Sequence, residues 1–196
     1  MVTTFDYLDS MMWVMGASGI LLGIALLRLP YNAKSDSIED SGKNVSTGLG
    51  IAIGATGLYL FLTGNAISFQ WPFTSSSGAY NVLFGGAAVF GGLVLLAISA
   101  SLFLRRGLKS ISYLAAVIGA YLTVDAFSIR TYNLTSNPLV ASLLYLSVAV
   151  ASFLSIPATH SDNKWLRRLF AVFAFAFALG WLYFVSNVTY GHLKPA

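Results

Sequence analysis

Apolar residues run along this chain in six stretches, each bounded by short polar or charged segments. The stretches cover Ser10–Leu29, Thr47–Ile67, Asn81–Leu104, Ser110–Ile129, Pro138–Ala158 and Leu169–Asn187. A helix that crosses a bilayer needs roughly 20 mostly apolar residues. The pattern therefore predicts an all-α fold, an integral membrane six-helix bundle forming a single transmembrane domain over residues 1–196. Pro30 and Pro157 are expected to mark the ends of the first and fifth spans, because proline cannot donate to a helix and crowds the preceding turn. The first stretch is flanked by Asp6 and Asp9 rather than by basic residues, and no small-residue cleavage pattern follows it. It is expected to stay as a span, not to be removed as a signal peptide.

Composition sharpens this picture. The chain is 57% hydrophobic and only 9% charged. A soluble domain carries about a quarter charged residues, so lipid is the solvent that fits. The charges that remain are sorted by loop. Arg28, Lys34 and Lys43 lie between the first two spans, Arg105, Arg106 and Lys109 between the third and fourth, and Lys164, Arg167 and Arg168 between the fifth and sixth. The other side holds Arg130 and Lys194. By the positive-inside rule, the three basic loops (30–46, 105–109 and 159–168) face the cytoplasm and both termini face outside. Trp13, Trp71, Trp165 and Trp181 fall near span ends, where amphipathic rings favour the interface. Sorting by side argues against nucleic acid as a partner, despite the net charge of +4. The sequence contains no cysteine, which excludes thiolate metal sites and disulfides, and its two histidines, His160 and His192, fall on opposite sides. No cofactor is expected.

Asp125 is the one fully ionisable side chain inside an apolar stretch, about a turn from its far end. Such a carboxylate is unfavourable unless something answers it, which marks a functional position. The same position is echoed elsewhere in the chain in a way that suggests a repeat: Leu62-Thr63-Gly64-Asn65-Ala66-Ile67-Ser68 and Leu122-Thr123-Val124-Asp125-Ala126-Phe127-Ser128 are identical at four of seven positions and pair Asn65 with Asp125 at a fifth, and Asn187 takes the same place in the sixth span. At i, i+4 and i+7 these helices carry Phe61, Asn65 and Ser68, then Tyr121, Asp125 and Ser128, then Tyr183, Asn187 and Tyr190. Those spacings share a helix face. The implied unit is a hairpin of odd span, basic loop and even span, used three times. Polar residues also gather at helix ends for solvation alone, so equal depth does not require repetition. Arg130, at i+5, lies off the Asp125 face of a straight helix. Glycine spacings such as Gly19–Gly23 and Gly50–Gly54, with the doublets Gly85–Gly86 and Gly91–Gly92, supply surfaces for close helix approach, within one chain or in a homo-oligomer.

The run Trp71-Pro72, then Tyr80-Asn81-Val82-Leu83-Phe84-Gly85 opening a span, and the closing Tyr190-Gly191-His192-Leu193, resemble an uncharacterised family of multi-pass membrane proteins, domain-of-unknown-function family 981, found mainly in archaea and some bacteria. The resemblance runs from about Gly48 to the end of the chain. It implies a multi-pass architecture, brings no established activity, and adds Tyr80, Asn81 and His192 to the outward-facing polar set of Asp125, Asn65, Asn187, Tyr121, Ser128 and Arg130. A prokaryotic source would place the chain in the plasma membrane. The leading functional expectation is a small transporter or channel with an outward-facing polar site around Asp125. The alternative is a structural or accessory subunit of a larger membrane assembly, such as a respiratory complex. No nucleophile elbow, phosphate loop or zinc-protease motif occurs in the sequence, so an intramembrane enzyme or lipid-binding role ranks third.

Overall fold

The computed structural model describes residues 7–35, 37–38, 43–73 and 78–192, with the backbone alone for Tyr7, Lys43, Asn44 and His192. Six long helices dominate it: α1 Tyr7–Arg28, α2 Lys43–Gln70, α3 Ala87–Leu104, α4 Lys109–Tyr132, α5 Pro138–His160 and α6 Lys164–His192. A six-residue π-helical turn, Asn81–Gly86, leads directly into α3. All six helical segments are long and apolar enough to cross a membrane. They extend past the predicted spans by a few residues, most at α6, where Lys164, Arg167 and Arg168 form the first turns. Asn137 opens α5, its side chain accepting from the Val140 amide at 3.3 Å. Arg105 and Asn133 close α3 and α4 in the left-handed conformation.

Pro157 does not end the fifth helix, which continues to His160. The ring removes one backbone donor and crowds only the carbonyl four residues back. The next turn is held by side chains, with Thr159 donating to the Ser155 carbonyl at 2.8 Å. Trp181 also departs from the interfacial reading. It is 2% exposed and packs against Tyr145, Phe177 and Phe184 in the core. Trp13, Trp71 and Trp165 are exposed, as interface residues should be.

Each helix packs against its neighbours in sequence, and α6 closes the ring on α1. The closest pairs are α2/α3, α4/α5 and α1/α6. This is offset by one helix from the hairpin unit that the polar motif suggests, because the glycines decide which backbones can touch. A Cβ on Gly92 would stand 2.6 Å from the Phe61 amide nitrogen, and one on Gly64 would stand 2.7 Å from the Val89 nitrogen. Gly50, Gly57 and Gly64 on α2 thus meet Ser99 and Gly92 on the antiparallel α3 and Gly85 on the π turn that leads into it, at seven-residue intervals. Ser99 closes the row by donating to the Gly50 carbonyl at 2.7 Å. Gly119 lies against Ala149 and Ser152 of α5, and Gly16, Gly19 and Gly23 lie against Leu182, Phe177 and Phe175 of α6. These glycines serve contacts within the chain, where lipid gives no apolar driving force and close van der Waals packing must hold the helices together.

The basic face is tied together by a structure that apolar patterning does not show. Two-residue strands β1 Tyr31–Asn32 and β2 Ser37–Ile38 form a small antiparallel hairpin. Ser37 bridges to Arg106, in the loop between α3 and α4. The Tyr31 hydroxyl donates to the Thr159 carbonyl at 3.1 Å, and the Ala33 amide donates to Asp162 at 2.9 Å. One hairpin therefore touches all three basic loops.

Candidate functional site

The site is built where the π-helical turn meets α4 and α5, toward the face opposite the basic loops. A π turn widens the helix and leaves its carbonyls poorly matched to the regular ladder, and such turns are frequent at functional sites. Here two tyrosines answer the exposed carbonyls. Tyr121 of α4 donates its hydroxyl to the Val82 carbonyl at 3.2 Å, and Tyr145 of α5 donates to the Leu83 carbonyl at 3.0 Å. Gly86 leaves room on this turn for the Tyr121 hydroxyl, which a Cβ there would displace.

Asn81 opens the turn and is 1% exposed. Its side-chain amide accepts from the Phe73 nitrogen at 3.1 Å and donates to the Phe73 carbonyl at 2.6 Å and the Gly78 carbonyl at 3.1 Å. Tyr80 sits edge-on to Phe73 and Phe84, with ring centroids 5.8 and 5.6 Å away. Together they fold the loop after α2 back onto the start of α3. Replacing Asn81 with alanine orphans the part-buried amide and carbonyl of Phe73. The expected loss is about 2 kcal/mol of stability, with faster cleavage near residues 71–80 in limited proteolysis of the detergent-solubilised protein.

Asp125 is 5% exposed and lies among Leu122, Ala126 and Ile129 of its own helix. Its carboxyl group faces the Tyr121 hydroxyl and lies near that of Tyr145. Among the described residues its Oδ2 is buried with no hydrogen-bond partner, as is Nε1 of Trp181. The exposed Arg130 makes no ion pair with it. The two asparagines matched to Asp125 by sequence bond their own helices instead: Asn65 donates to the Phe61 carbonyl at 2.7 Å and Asn187 to the Tyr183 carbonyl at 2.8 Å. Asn187 is exposed, while Asn65 and Ser128 are half-buried. The side chain of His192 lies outside the described residues, as do Asp6 and Lys194. The structure thus brings together Tyr121, Asp125 and the turn that Asn81 opens, and it does not join Asn65, Asn187 or Arg130 to them by a hydrogen bond or an ion pair. Among the described residues no three His, Asp or Glu side chains gather as metal ligands.

Tyr145 is a member that the sequence did not single out, and Trp181 is one that it placed at the interface. Both border a cavity of about 120 Å³ on the bundle axis, to which all six helices contribute, including Met15, Leu60, Gly91, Ile118, Val148 and Phe177. A second cavity of about 150 Å³ follows it toward the basic face, floored by Tyr31, Ile38 and Arg167. Leu22, Val94, Ala115, Val148, Ser152 and Phe177 border both. The walls are almost entirely apolar. Ser112, Ser155 and Thr159 turn their hydroxyls onto the carbonyls of Lys109, Ser152 and Ser155. Asp125 sits one turn beyond Leu122, which borders the first cavity; Asp125 itself does not line it.

A closed ring of six membrane-length helices around an apolar axis, with the buried carboxyl of Asp125 toward one end, defines a multi-pass integral membrane protein. Residues 1–195 match the family described as protein of unknown function (DUF981), and the chain belongs to it. The match reaches the first helix, well before the segment around Gly48 where the resemblance in the motifs begins. No curated protein and no solved structure matches the chain.

Proposed function

We propose that the protein is a small transporter that holds a compact, largely apolar molecule on the bundle axis, with Asp125, Tyr121 and Tyr145 at the polar end of the path. The axial cavity carries this reading. An ion crossing a membrane needs polar ligands that replace its water, and most hydroxyls along this axis, those of Ser18, Ser112, Ser155 and Thr159, are already spent on backbone carbonyls. A lipophile needs only apolar walls and a few placed polar groups. Asp125 Oδ2 and Trp181 Nε1, an oxygen and an N–H donor, flank Tyr145 at one end and suit a cargo with a single polar end. Each cavity is about the size that takes a benzene ring in an engineered apolar core. The cargo is therefore a small ring system or the end of one hydrocarbon chain. With the basic face in the cytoplasm of the plasma membrane, the polar end opens outward.

Native mass spectrometry of the protein released from its own membranes tests this. The expected result is a small adduct of constant mass that organic solvent extracts. Ala115 borders both cavities, so Ala115→Phe is expected to lose the adduct, with the milder Ala115→Leu as a second variant and thermal melts as the check on folding. Adduct-free wild-type protein, or an adduct indifferent to both substitutions, would overturn the proposal. Adduct-free protein that co-purifies in fixed ratio with another membrane protein would establish the accessory-subunit reading in its place.

A further inference from the structure

A second site lies on the basic face, well away from Asp125. The end of α1 and the start of α6 enclose a pocket of about 580 Å³ whose lining includes Arg28, Lys164, Arg167 and Arg168 with Pro30 and Tyr31. Four cations at one opening repel each other unless something negative sits among them. Among the described residues none of the four has a carboxylate partner. Arg167 is committed to the fold: it donates to the Leu26 carbonyl at 3.1 Å and the Leu29 carbonyl at 2.5 Å, and it lies over the Tyr31 ring. Arg168 stacks on Trp165 at 5.0 Å from the ring centroid, and Trp165 is 72% exposed, as a side chain at the membrane interface would be. The nearby Asp162 accepts from the Ala33 amide and does not line the pocket. Three charges, those of Arg28, Lys164 and Arg168, remain to face the opening.

The pocket does not stop at the interface. Leu27, Arg28 and Val45 continue from it into a groove of about 550 Å³ between α1 and α2, completed by Ile24 and Leu49. A basic opening at interfacial depth, running into an apolar furrow along the membrane-facing surface, matches a phosphate head and a hydrocarbon tail on one molecule. Basic pockets between spanning helices are a known form of headgroup recognition. We infer that this cleft binds one anionic phospholipid, its phosphate held by Arg28, Lys164 and Arg168 and one acyl or isoprenoid chain laid along Leu27 and Val45. The furrow favours a lipid over free phosphate, which would have no use for it. Occupancy would tie α6 to α1 and α2 at the point where the helical ring closes.

The test is lipid retention by native mass spectrometry from phosphatidylcholine nanodiscs holding a minor share of phosphatidylglycerol. One phosphatidylglycerol per chain is expected to survive release in preference to phosphatidylcholine. The triple variant Arg28→Gln, Lys164→Gln, Arg168→Gln is expected to lower that preference by roughly tenfold or more. A triple variant of equal charge change elsewhere on the face, Lys34→Gln, Arg106→Gln, Lys109→Gln, is expected to keep it. Leu27→Ser with Val45→Ser is expected to weaken retention while leaving every charge in place. Equal loss in both charge variants would reduce the site to diffuse attraction and overturn the proposal. Displacement of the lipid by inorganic phosphate, with no effect of the furrow substitutions, would make it a phosphate site and overturn the proposal equally. Thermal melts in pure phosphatidylcholine verify that each variant folds.

Discussion

Gly92→Leu is expected to separate α2 from α3 and lower stability by on the order of 3 kcal/mol or more. The cause is contact with backbone. A Cβ at position 92 meets the Phe61 nitrogen at 2.6 Å and the Gly57 carbonyl oxygen at 2.7 Å, and neither can rotate away. The whole helix must move, which also breaks the Ser99 bond to Gly50 and the fit at Gly64 and Gly85. Gly91, one residue earlier, is the natural control: a Cβ there meets nothing within 4 Å. Gly91→Ala is expected to melt with the wild type or slightly above it, since alanine favours helix over glycine by about 1 kcal/mol. Circular dichroism melts of the three proteins in one detergent decide the matter. Equal melting of Gly92→Leu and wild type would mean that the α2/α3 contact is looser than the structure shows.

Asp125→Leu is expected to act in the opposite direction on stability. The carboxyl group is buried, Oδ2 lacks a partner and no cation among the described residues answers it, so leucine, with the same branching and larger methyl groups, removes an unsatisfied polar group. Such groups cost about 1–3 kcal/mol when left unpaired, and the variant should gain a melting increment of that order. The same change is expected to abolish retention of the axial adduct. Gain of stability together with loss of binding is the pattern of a residue kept for function at the expense of the fold. If Asp125→Leu were instead strongly destabilised, the carboxyl would be a structural member of the tyrosine–carbonyl cluster and the proposed role would fail. Asp125→Asn separates charge from shape, because it keeps the side chain and can still donate to or accept from the cargo.

The six helices were legible because a bilayer imposes length and polarity on every span, and that constraint is written residue by residue from Ser10 to Asn187. Asp125 was legible for the same reason: a carboxylate stands out against Leu122, Val124 and Ala126. The helix pairing was not. The repeated Leu-Thr-x-Asn/Asp-Ala-x-Ser motif reports equal depth in the membrane, whereas neighbours are chosen by small residues seven apart, Gly50, Gly57 and Gly64 against Gly85, Gly92 and Ser99. Tyr145 was missed because an aromatic residue in an apolar stretch has no distinguishing pattern, and Trp181 was assigned to the interface because depth along a helix does not tell which way a ring faces; only the third dimension sets Tyr145 beneath the Leu83 carbonyl. The π turn left a faint trace in Gly85–Gly86, where a doublet permits a widened coil and admits the Tyr121 hydroxyl. The β1/β2 hairpin has strands of two residues, too short for any alternation to register.

The ring's closing contact joins the first helix to the last. Synthesis delivers α2 with α3, and α4 with α5, as consecutive helices, so each can settle against its partner soon after both have entered the membrane. The glycine face of α1 has no such companion until α6 emerges. For most of translation Gly16, Gly19 and Gly23 therefore look onto lipid or onto whatever chaperone shelters them, and a ribosome that stalls before Lys164 leaves a five-helix product with an open seam. Membrane quality control would find its recognition mark there.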